Sequence, residues 1–376
     1  MIPETSREQA SDEAYMRLAL RIAQRGLGRV EPNPMVGCVI VRDGHIIGQG
    51  FHRRFGGRHA EINAMRACTA DIAGATVYVT LEPCCPGEKK TPPCVEALIA
   101  ARVRRVIIGA IDPNPQVAGG GVRMLEEAGI ATRVGICEGD AQDLIAPFTK
   151  WITRKRPWVI AKWAQSVDGR IATRTRDSKW ISDEIMRADA HRVRGRVDAI
   201  IIGAETAIAD DPMLTNRVSR SRRVATRVVI DPTLRCATKS LQLRATARQT
   251  PTLIYHAADA EPSRVSAIES DGCVARLVPN NKGGSVRLSV DAILADLAER
   301  GFTNVLVEGG ASTTGAFFDA GAVDEINCYI APKLIGGAES LSAIGGAGVG
   351  AVADAPNLRN PRWRRLGEGW LLTGRI

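Results

Sequence analysis

The sequence predicts an α/β protein built as two layered domains, and three observations carry that reading. The chain has 376 residues, and at roughly 150 residues per domain that is two or three cores rather than one. Short β-branched apolar runs alternate with amphipathic stretches along most of the length, the pattern of strands interleaved with helices. A charged, proline-ended stretch, Arg154-Lys155-Arg156-Pro157, interrupts the alternation, which puts one domain at residues 1–152 and a second at 153–376.

The elements follow in order. Ser11-Asp12 can cap a helix whose apolar face is Tyr15, Leu18, Ala19, Ile22 and Ala23, closed by Gly26. Pro32-Asn33-Pro34 breaks the chain. Val36–Val41 is a continuous apolar run, so a strand buried on both faces, and Asp43-Gly44 turns it back into Ile46–Gly50. A helix is expected over Arg58–Ala67, a strand over Thr76–Leu81, and a helix opened by Pro92-Pro93 with Cys94 in its first turn. Strand Val103–Gly109, helix Val122–Ala128, strand Ile130–Ile136 and helix Glu138–Lys150 complete the first domain. The second alternates likewise. Strands are expected at 158–166, 198–203, 224–231, 252–255, 304–308, 324–331 and 369–376, and helices at 182–193, 290–299 and 309–320. Residues 232–250 and 258–288 are polar and patternless, and are expected to be loops.

Composition narrows the function classes. Apolar residues make up 45% and charged residues 24%, ordinary globular values. No apolar run approaches the ~20 residues of a membrane span, and the polar N-terminus has no apolar leader. Nine cysteines, an odd number, speak against a disulfide framework and for a reducing, cytoplasmic setting. The net charge is +9, nearly all of it in the second domain. That suits phosphorylated ligands. A nucleic-acid module, including a nucleic-acid base deaminase, is disfavoured by an aromatic content of 4% and a near-neutral first domain.

The chemistry concentrates in His59-Ala60-Glu61, Pro83-Cys84-Cys85 and Thr91-Pro92-Pro93-Cys94. Zinc prefers imidazole nitrogen and thiolate sulfur, and a catalytic site takes three protein ligands and leaves a position for water. His59, Cys84 and Cys94 fit that demand, with Cys85 the neighbouring alternative to Cys84. Cys94 at a helix start favours the thiolate. Glu61 is not needed as a ligand and suits a proton shuttle. The order His-x-Glu, then Pro-Cys and a further Cys, is that of zinc-dependent nucleobase deaminases.

These pieces, with Pro32-Asn33-Pro34-Met35-Val36-Gly37 and the run Asp112 to Gly119, make the chain resemble the bifunctional riboflavin-biosynthesis enzymes, a pyrimidine deaminase fused to a reductase. The resemblance extends from about Glu13 to Arg375. It implies a cytidine-deaminase-like αβα domain followed by a dihydrofolate-reductase-like α/β domain, one Zn2+ in the first and NADPH in the second. It also implies that Asn33 and His52 contact the phosphate of a pyrimidine-ribose substrate; from the residues alone they read as a turn Asn and a loop His. Family members usually carry a Ser-His-x-Gly-Arg/Lys run after the first zinc Cys. Here the loop is Cys85-Pro86-Gly87-Glu88-Lys89-Lys90, without the His, which leaves Lys89 and Lys90 to reach the phosphate and raises the alternative of a reductase with an impaired deaminase.

In the second domain Glu308-Gly309-Gly310 ends a strand and opens a helix, a place for phosphate, though not a Gly-x-Gly-x-x-Gly fingerprint. Lys162, Asp168-Gly169-Arg170, Ser178-Lys179-Trp180-Ile181, Asp210-Asp211-Pro212 and Ala331-Pro332-Lys333 match the family's reductase. By that resemblance Ala164, Trp180, Thr206, Asp210 and Gly310, Ala311, Ser312, Thr313, Thr314, Gly315 and Ala316 line the cofactor. Lys162, Ser178, Arg194, Leu214, Arg217 and Glu308 face the ribose-phosphate substrate, Arg194 and Arg217 as phosphate forks. The expected partner is a phosphorylated pyrimidine, not nucleic acid or membrane, and a homo-oligomer is expected by analogy.

Overall fold

The computed structural model describes residues 4–85, 93–115, 117–218, 221–281 and 287–376. The chain divides into two compact units, Met1–Lys155 and Arg156–Ile376.

The first unit contains α1 (Glu4–Ala23), β1 (Gly37–Arg42), β2 (His45–Phe51), α2 (Ala60–Arg66), β3 (Thr76–Leu81), α3 (Cys94–Ala100), β4 (Arg105–Ala110), α4 (Gly120–Glu127), β5 (Ala131–Val134) and α5 (Glu138–Arg154). Its five strands run in the order β2-β1-β3-β4-β5, with β1 antiparallel to both neighbours and β3, β4 and β5 parallel. The apolar run in β1 splits by strand alternation. Cys38 and Ile40 pack with Ala60, Ala64, Val95, Leu98 and Leu125 of α2, α3 and α4. Val39 and Val41 pack with Met16, Ala19 and Ala141 of α1 and α5 on the other face. A strand wetted on neither side has no polar alternation to show. A side chain on Gly50 would put its Cβ 2.2 Å from the Ala64 nitrogen and 2.5 Å from the Ala60 carbonyl. The bare backbone therefore lets α2 lie close on β2, which fixes the start of that helix and the residues it presents.

The first helix starts at Glu4, ahead of the expected cap at Ser11-Asp12. Asp12 is not a cap. It is buried in mid-helix and accepts hydrogen bonds from the Tyr78 hydroxyl (2.7 Å), Arg133 (3.4 Å) and Arg105. A carboxylate kept from water needs such partners, and these come from three different strands.

The second unit contains β6 (Trp158–Ser166), β7 (Arg170–Ala172), α6 (Glu184–Arg194), β8 (Ala199–Gly203), α7 (Ala204–Asp210), β9 (Thr226–Ile230), α8 (Gln242–Ala245), β10 (Thr252–His256), α9 (Pro262–Ser270), β11 (Val274–Leu277), α10 (Val290–Glu299), β12 (Asn304–Val307), α11 (Ala311–Asp319), β13 (Glu325–Ala331), β14 (Leu341–Ser342), β15 (Arg359–Leu366) and β16 (Gly369–Arg375). Nine of the strands form one sheet in the order β11-β10-β9-β8-β12-β6-β13-β16-β15, parallel from β11 to β13 and antiparallel beyond. Val159, Val305 and Tyr255 face α10 and α11, while Ile200, Leu306 and Ile254 face α7, α8 and α9. Asp183 caps α6 by accepting from the Met186 amide at 2.8 Å.

One expectation fails here, and one strand was missed. The stretches 232–250 and 258–288 are not loops throughout: they hold a 3-10 turn (Arg235–Thr238), α8, α9 and β11. Side chains bonded to backbone hold the first of these stretches. Arg227, fully buried, donates to the Leu243 and Thr250 carbonyls and to the Thr246 and Thr252 hydroxyls. The edge strand β15 also went unread: seven of its eight residues are exposed, so it has no apolar face to betray it, and its arginines blunt the sheet edge.

Candidate active sites

In the first unit three element ends converge. His59 is the N-cap of α2, Cys84 lies three residues beyond the end of β3, and Cys94 opens α3. Among the described residues these three form one cluster whose donor atoms all lie within 4.8 Å. The His59 Nδ1 is 3.4 Å from the Cys84 Sγ and 3.3 Å from the Cys94 Sγ. A tetrahedral zinc bonded at ordinary lengths keeps its ligands about 3.5 Å apart, so the donor set fits the ion. Cys85 is turned elsewhere: its Sγ lies 3.0 Å from where a Cβ on Gly120 would be.

The electrostatics suit a cation. Hydrogen bonding from Cys94 holds the Cys84 thiol well below its ordinary value, against burial and with help from His59. Metal binding takes both sulfurs as thiolates and so releases protons. Glu61, two residues after His59, is buried. Burial lifts its carboxyl above the ordinary value; His59 opposes the rise and Cys84 adds to it. A carboxyl moved toward neutrality can both take and return a proton.

Asn33 and His52 come together beside this cluster. The Asn33 amide donates to the His52 Nε2 at 3.1 Å, and the His52 Nδ1 lies 3.0 Å from the Arg58 carbonyl. That pair of partners requires a neutral ring protonated on Nδ1, in keeping with burial lowering its pKa. The His52 and His59 rings meet edge to face at 5.5 Å. Lys89 and Lys90 lie outside the described residues.

One residue of this site was not singled out from sequence. The buried Glu82 carboxylate accepts from four backbone amides, those of Asp112, Gly119, Gly121 and Val122, at 2.8–3.2 Å. It ties the 112–122 segment to Pro83-Cys84. Its position between an apolar strand and a proline was the available signal.

The second unit holds a cleft of about 1450 Å³ at the carboxyl ends of the parallel strands, where open α/β sheets take their ligands. Lys162, Ala164, Ser178, Trp180, Arg194, Thr206, Asp210, Leu214, Arg217 and Glu308 all line it, as do Gly310, Ala311, Ser312, Thr313 and Ala316. Thr314 and Gly315 do not. Thr314 is buried with its hydroxyl on the Gly309 carbonyl (3.3 Å), and Gly315 packs against Gly345. They sit on the core side of α11, where a helix beginning at 311 turns every third or fourth residue.

At the centre Glu308 grips Arg194 with both oxygens, each 2.7 Å from a guanidinium nitrogen, and lies 3.6 Å from the Lys162 Nζ. Burial opposes the Glu308 charge, but Arg194 and Lys162 outweigh it and hold the carboxyl at about 2. Burial lowers Lys162, with Glu308 opposing. Arg194, expected from the resemblance to fork the substrate phosphate, has its Nε and one terminal nitrogen on Glu308. Arg217 is exposed at the cleft. Beside Glu308, a Cβ on Gly309 would fall 2.4 Å from the Thr313 Cβ, and the Gly310 amide donates to the Thr206 hydroxyl at 3.2 Å. The close approach leaves the start of α11 as bare backbone, a cradle that fits a dinucleotide's phosphates. Pro232, Arg235 and Gln242 also line the cleft, from a stretch in which the sequence offered no pattern.

Residues 9–110 match the model of the cytidine and deoxycytidylate deaminase zinc-binding region, and residues 157–372 match the RibD C-terminal domain. The riboflavin biosynthesis protein RibD of Actinobacillus pleuropneumoniae is 39% identical over 375 residues, covering 99% of this chain and 97% of its own. The chain belongs to the RibD family. It carries a deaminase and a reductase of riboflavin biosynthesis in one polypeptide, with Zn2+ and NADPH as cofactors. The RibD of Escherichia coli K12 is 38% identical over 369 residues, covering 95% of this chain and 97% of its own. The crystal structure of a Thermotoga maritima diaminohydroxyphosphoribosylaminopyrimidine deaminase/5-amino-6-(5-phosphoribosylamino)uracil reductase superposes with a TM-score of 0.82 at 33% identity, covering 98% of this chain and 99% of that one. The RibD of Acinetobacter baumannii gives 0.81 at 33% identity, with the same shares. No helix among the described residues is long and apolar enough to cross a membrane.

Proposed function

We propose that the first unit hydrolyses the 2-amino group of 2,5-diamino-6-(5-phosphoribosylamino)pyrimidin-4-one, and that the second reduces the ribose of the product, 5-amino-6-(5-phosphoribosylamino)uracil, to a ribityl chain. The observation that carries the first half is the cluster of His59, Cys84 and Cys94 beside the buried Glu61. Those three side chains hold the zinc, and Glu61 is the catalytic carboxyl. When bound, the ion lowers the pKa of water toward neutrality and so supplies a nucleophile. Glu61 takes the proton released as water adds to the ring carbon, gives it to the ring nitrogen, and assists departure of ammonia as the carbonyl forms. By the family resemblance Asn33, whose amide is bonded to His52, and His52 itself are assigned to the ribose phosphate, as are Lys89 and Lys90.

Bound in the second unit, NADPH would supply the hydride for the ring-opened ribose carbon, with one proton taken up. Gly310 to Thr313, with Ala316, Ala164, Trp180, Thr206 and Asp210, border the dinucleotide. Ser178, Leu214 and Arg217 border the substrate. Glu308 stays ionised at neutral pH, so it accepts from substrate hydroxyls rather than donating, and Lys162 is the acid within reach. The substrate is a small phosphorylated pyrimidine, not a nucleic acid. The setting is cytoplasmic and the assembly a homo-oligomer by family resemblance. Zinc-replete protein given the diamino substrate should release ammonia and then oxidise NADPH. Oxidation of NADPH on the deaminated intermediate without ammonia release from the diamino substrate would leave only the reductase.

A further inference from the structure

The cleft of the second unit has a far end that the substrate and the hydride do not explain. Glu308, Lys162 and Arg194 fix one end at β12 and β6. From there the lining continues past Gly203 and Thr206 at the end of β8 to Ile230, Pro232 and Arg235 beyond β9. The strand order β9-β8-β12-β6 makes that about three inter-strand steps, or roughly 15 Å at ~4.8 Å each. A dinucleotide held with its nicotinamide near Glu308 and its phosphates at the start of α11 would have its adenosine toward this end.

The turn after β9 is built to present one side chain. Leu234 and Cys236 are buried in the core beneath α7 and α9, and Arg235 between them is exposed on the cleft side. Asp231 fixes the start of the turn: its side chain accepts from the Cys236 amide at 2.7 Å and its carbonyl from the Leu234 amide at 3.1 Å. Arg244 fixes the end by donating to the carbonyls of Cys236, Ala237 and Lys239 at 2.7–3.2 Å. Gln242 ties the following helix to Asp211 through both its amide and its side chain, at 2.8 Å each.

In Rossmann-type sheets a carboxylate near the adenosine ribose binds its 2′-hydroxyl and suits NAD, whereas an Arg accommodates the 2′-phosphate, and the same ligand chemistry applies at this strand end. Asp231 stands at the end of β9, but it is fully buried beneath the turn, with one oxygen on the Cys236 amide, and so presents no carboxylate to the cleft. What the turn offers the cleft is a guanidinium. Of the other cations on the cleft wall, Lys162 and Arg194 are engaged by Glu308, Lys179 by Asp210 at 3.6 Å and Arg187 by the Trp180 ring at 4.6 Å, while the exposed Arg176 and Arg217 line the cleft from the segments 170–180 and 211–218 rather than from the turn after β9.

We infer that Arg235 is the residue that reads the adenosine 2′-phosphate and sets the preference for NADPH over NADH. This rests on the reductase assignment above and adds to it the specificity determinant. The test is binding, read by tryptophan fluorescence quenching or calorimetry on the full zinc-loaded chain, with NADPH, NADH and 2′,5′-ADP as probes. Wild-type protein binds NADPH more tightly than NADH. Arg235→Ala weakens NADPH and 2′,5′-ADP by about 10-fold or more, the scale of a charge-assisted pair, and leaves NADH unchanged; Arg235→Lys keeps part of the preference. Equal loss of both dinucleotides, an unchanged preference in Arg235→Ala, or a preference that vanishes instead in Arg176→Ala would each overturn the inference while leaving the reductase intact. Wild-type protein that binds neither dinucleotide would overturn the reductase assignment with it.

Discussion

The two units prepare for their ligands in opposite ways. In the first, His59, Cys84 and Cys94 bring their donor atoms within 4.8 Å of one another, a set suited to a metal ion. Glu61 beside them is pushed toward neutrality rather than stabilised as a charge. In the second, Glu308, Arg194 and Lys162 neutralise one another before any ligand arrives. The first site is a donor set for a metal ion, and the second is an ion-pair network among the protein's own side chains. Chemistry in the first unit should therefore stand or fall with an ion, and chemistry in the second should be indifferent to it.

The largest effect expected is from Cys94→Ser. It removes a buried sulfur ligand, and zinc measured by elemental analysis should fall well below one per chain while ammonia release drops ~1000-fold or more. NADPH oxidation on the deaminated intermediate should stay within about 2-fold. Coupled loss of both activities would erase the contrast between the units. Glu61→Gln should cost ammonia release about 100- to 10,000-fold with zinc content unchanged, which separates proton transfer from metal binding.

In the second unit, Glu308→Gln leaves Arg194 and Lys162 buried beside each other without a counter-charge. It should slow reduction by at least ~10-fold and destabilise the unit by about 3 kcal/mol, read as a fall in denaturant midpoint that zinc does not repair. The same residue gives a pH dependence with a definite sign. Its folded-state pKa, about 2, is depressed below the unfolded value. Its stabilisation is therefore present above that unfolded value and is lost as pH falls through the ordinary carboxylate range to about 2. Acid unfolding followed by circular dichroism should show a shallower loss over that window in Glu308→Gln than in wild type. The smallest effect is Cys85→Ser, whose sulfur faces Gly120 rather than the cluster: zinc content and both rates should stay within about 2-fold of wild type.

The same contrast explains what could be read from the chain. The metal cluster needs only residues at three element ends, each flagged by a local signal: a helix start at His59, and prolines before Cys84 and Cys94. Spacing therefore carries most of it. The cleft is drawn from segments scattered between Lys162 and Gly346. Its strands were legible as apolar runs, because parallel strands are buried on both faces. Arg235 and Gln242 were not, since their turns are held by Asp231, Arg244 and Arg227 bonding to backbone rather than by a repeating apolar face. Asp12 misled for a related reason: a Ser-Asp pair looks like a cap, and only its fold-distant partners Tyr78, Arg105 and Arg133 reveal a buried anchor inside a longer helix. Lone pairings such as Glu308 on Arg194 leave no trace in spacing.

Chelator-stripped and zinc-restored protein, assayed in parallel for ammonia release and for NADPH oxidation on the deaminated intermediate, compares the two units most directly. Stripping should abolish the first, zinc should restore it, and the second should continue throughout. Ammonia release that survives complete removal of the metal, or NADPH oxidation that disappears with it, would contradict this account.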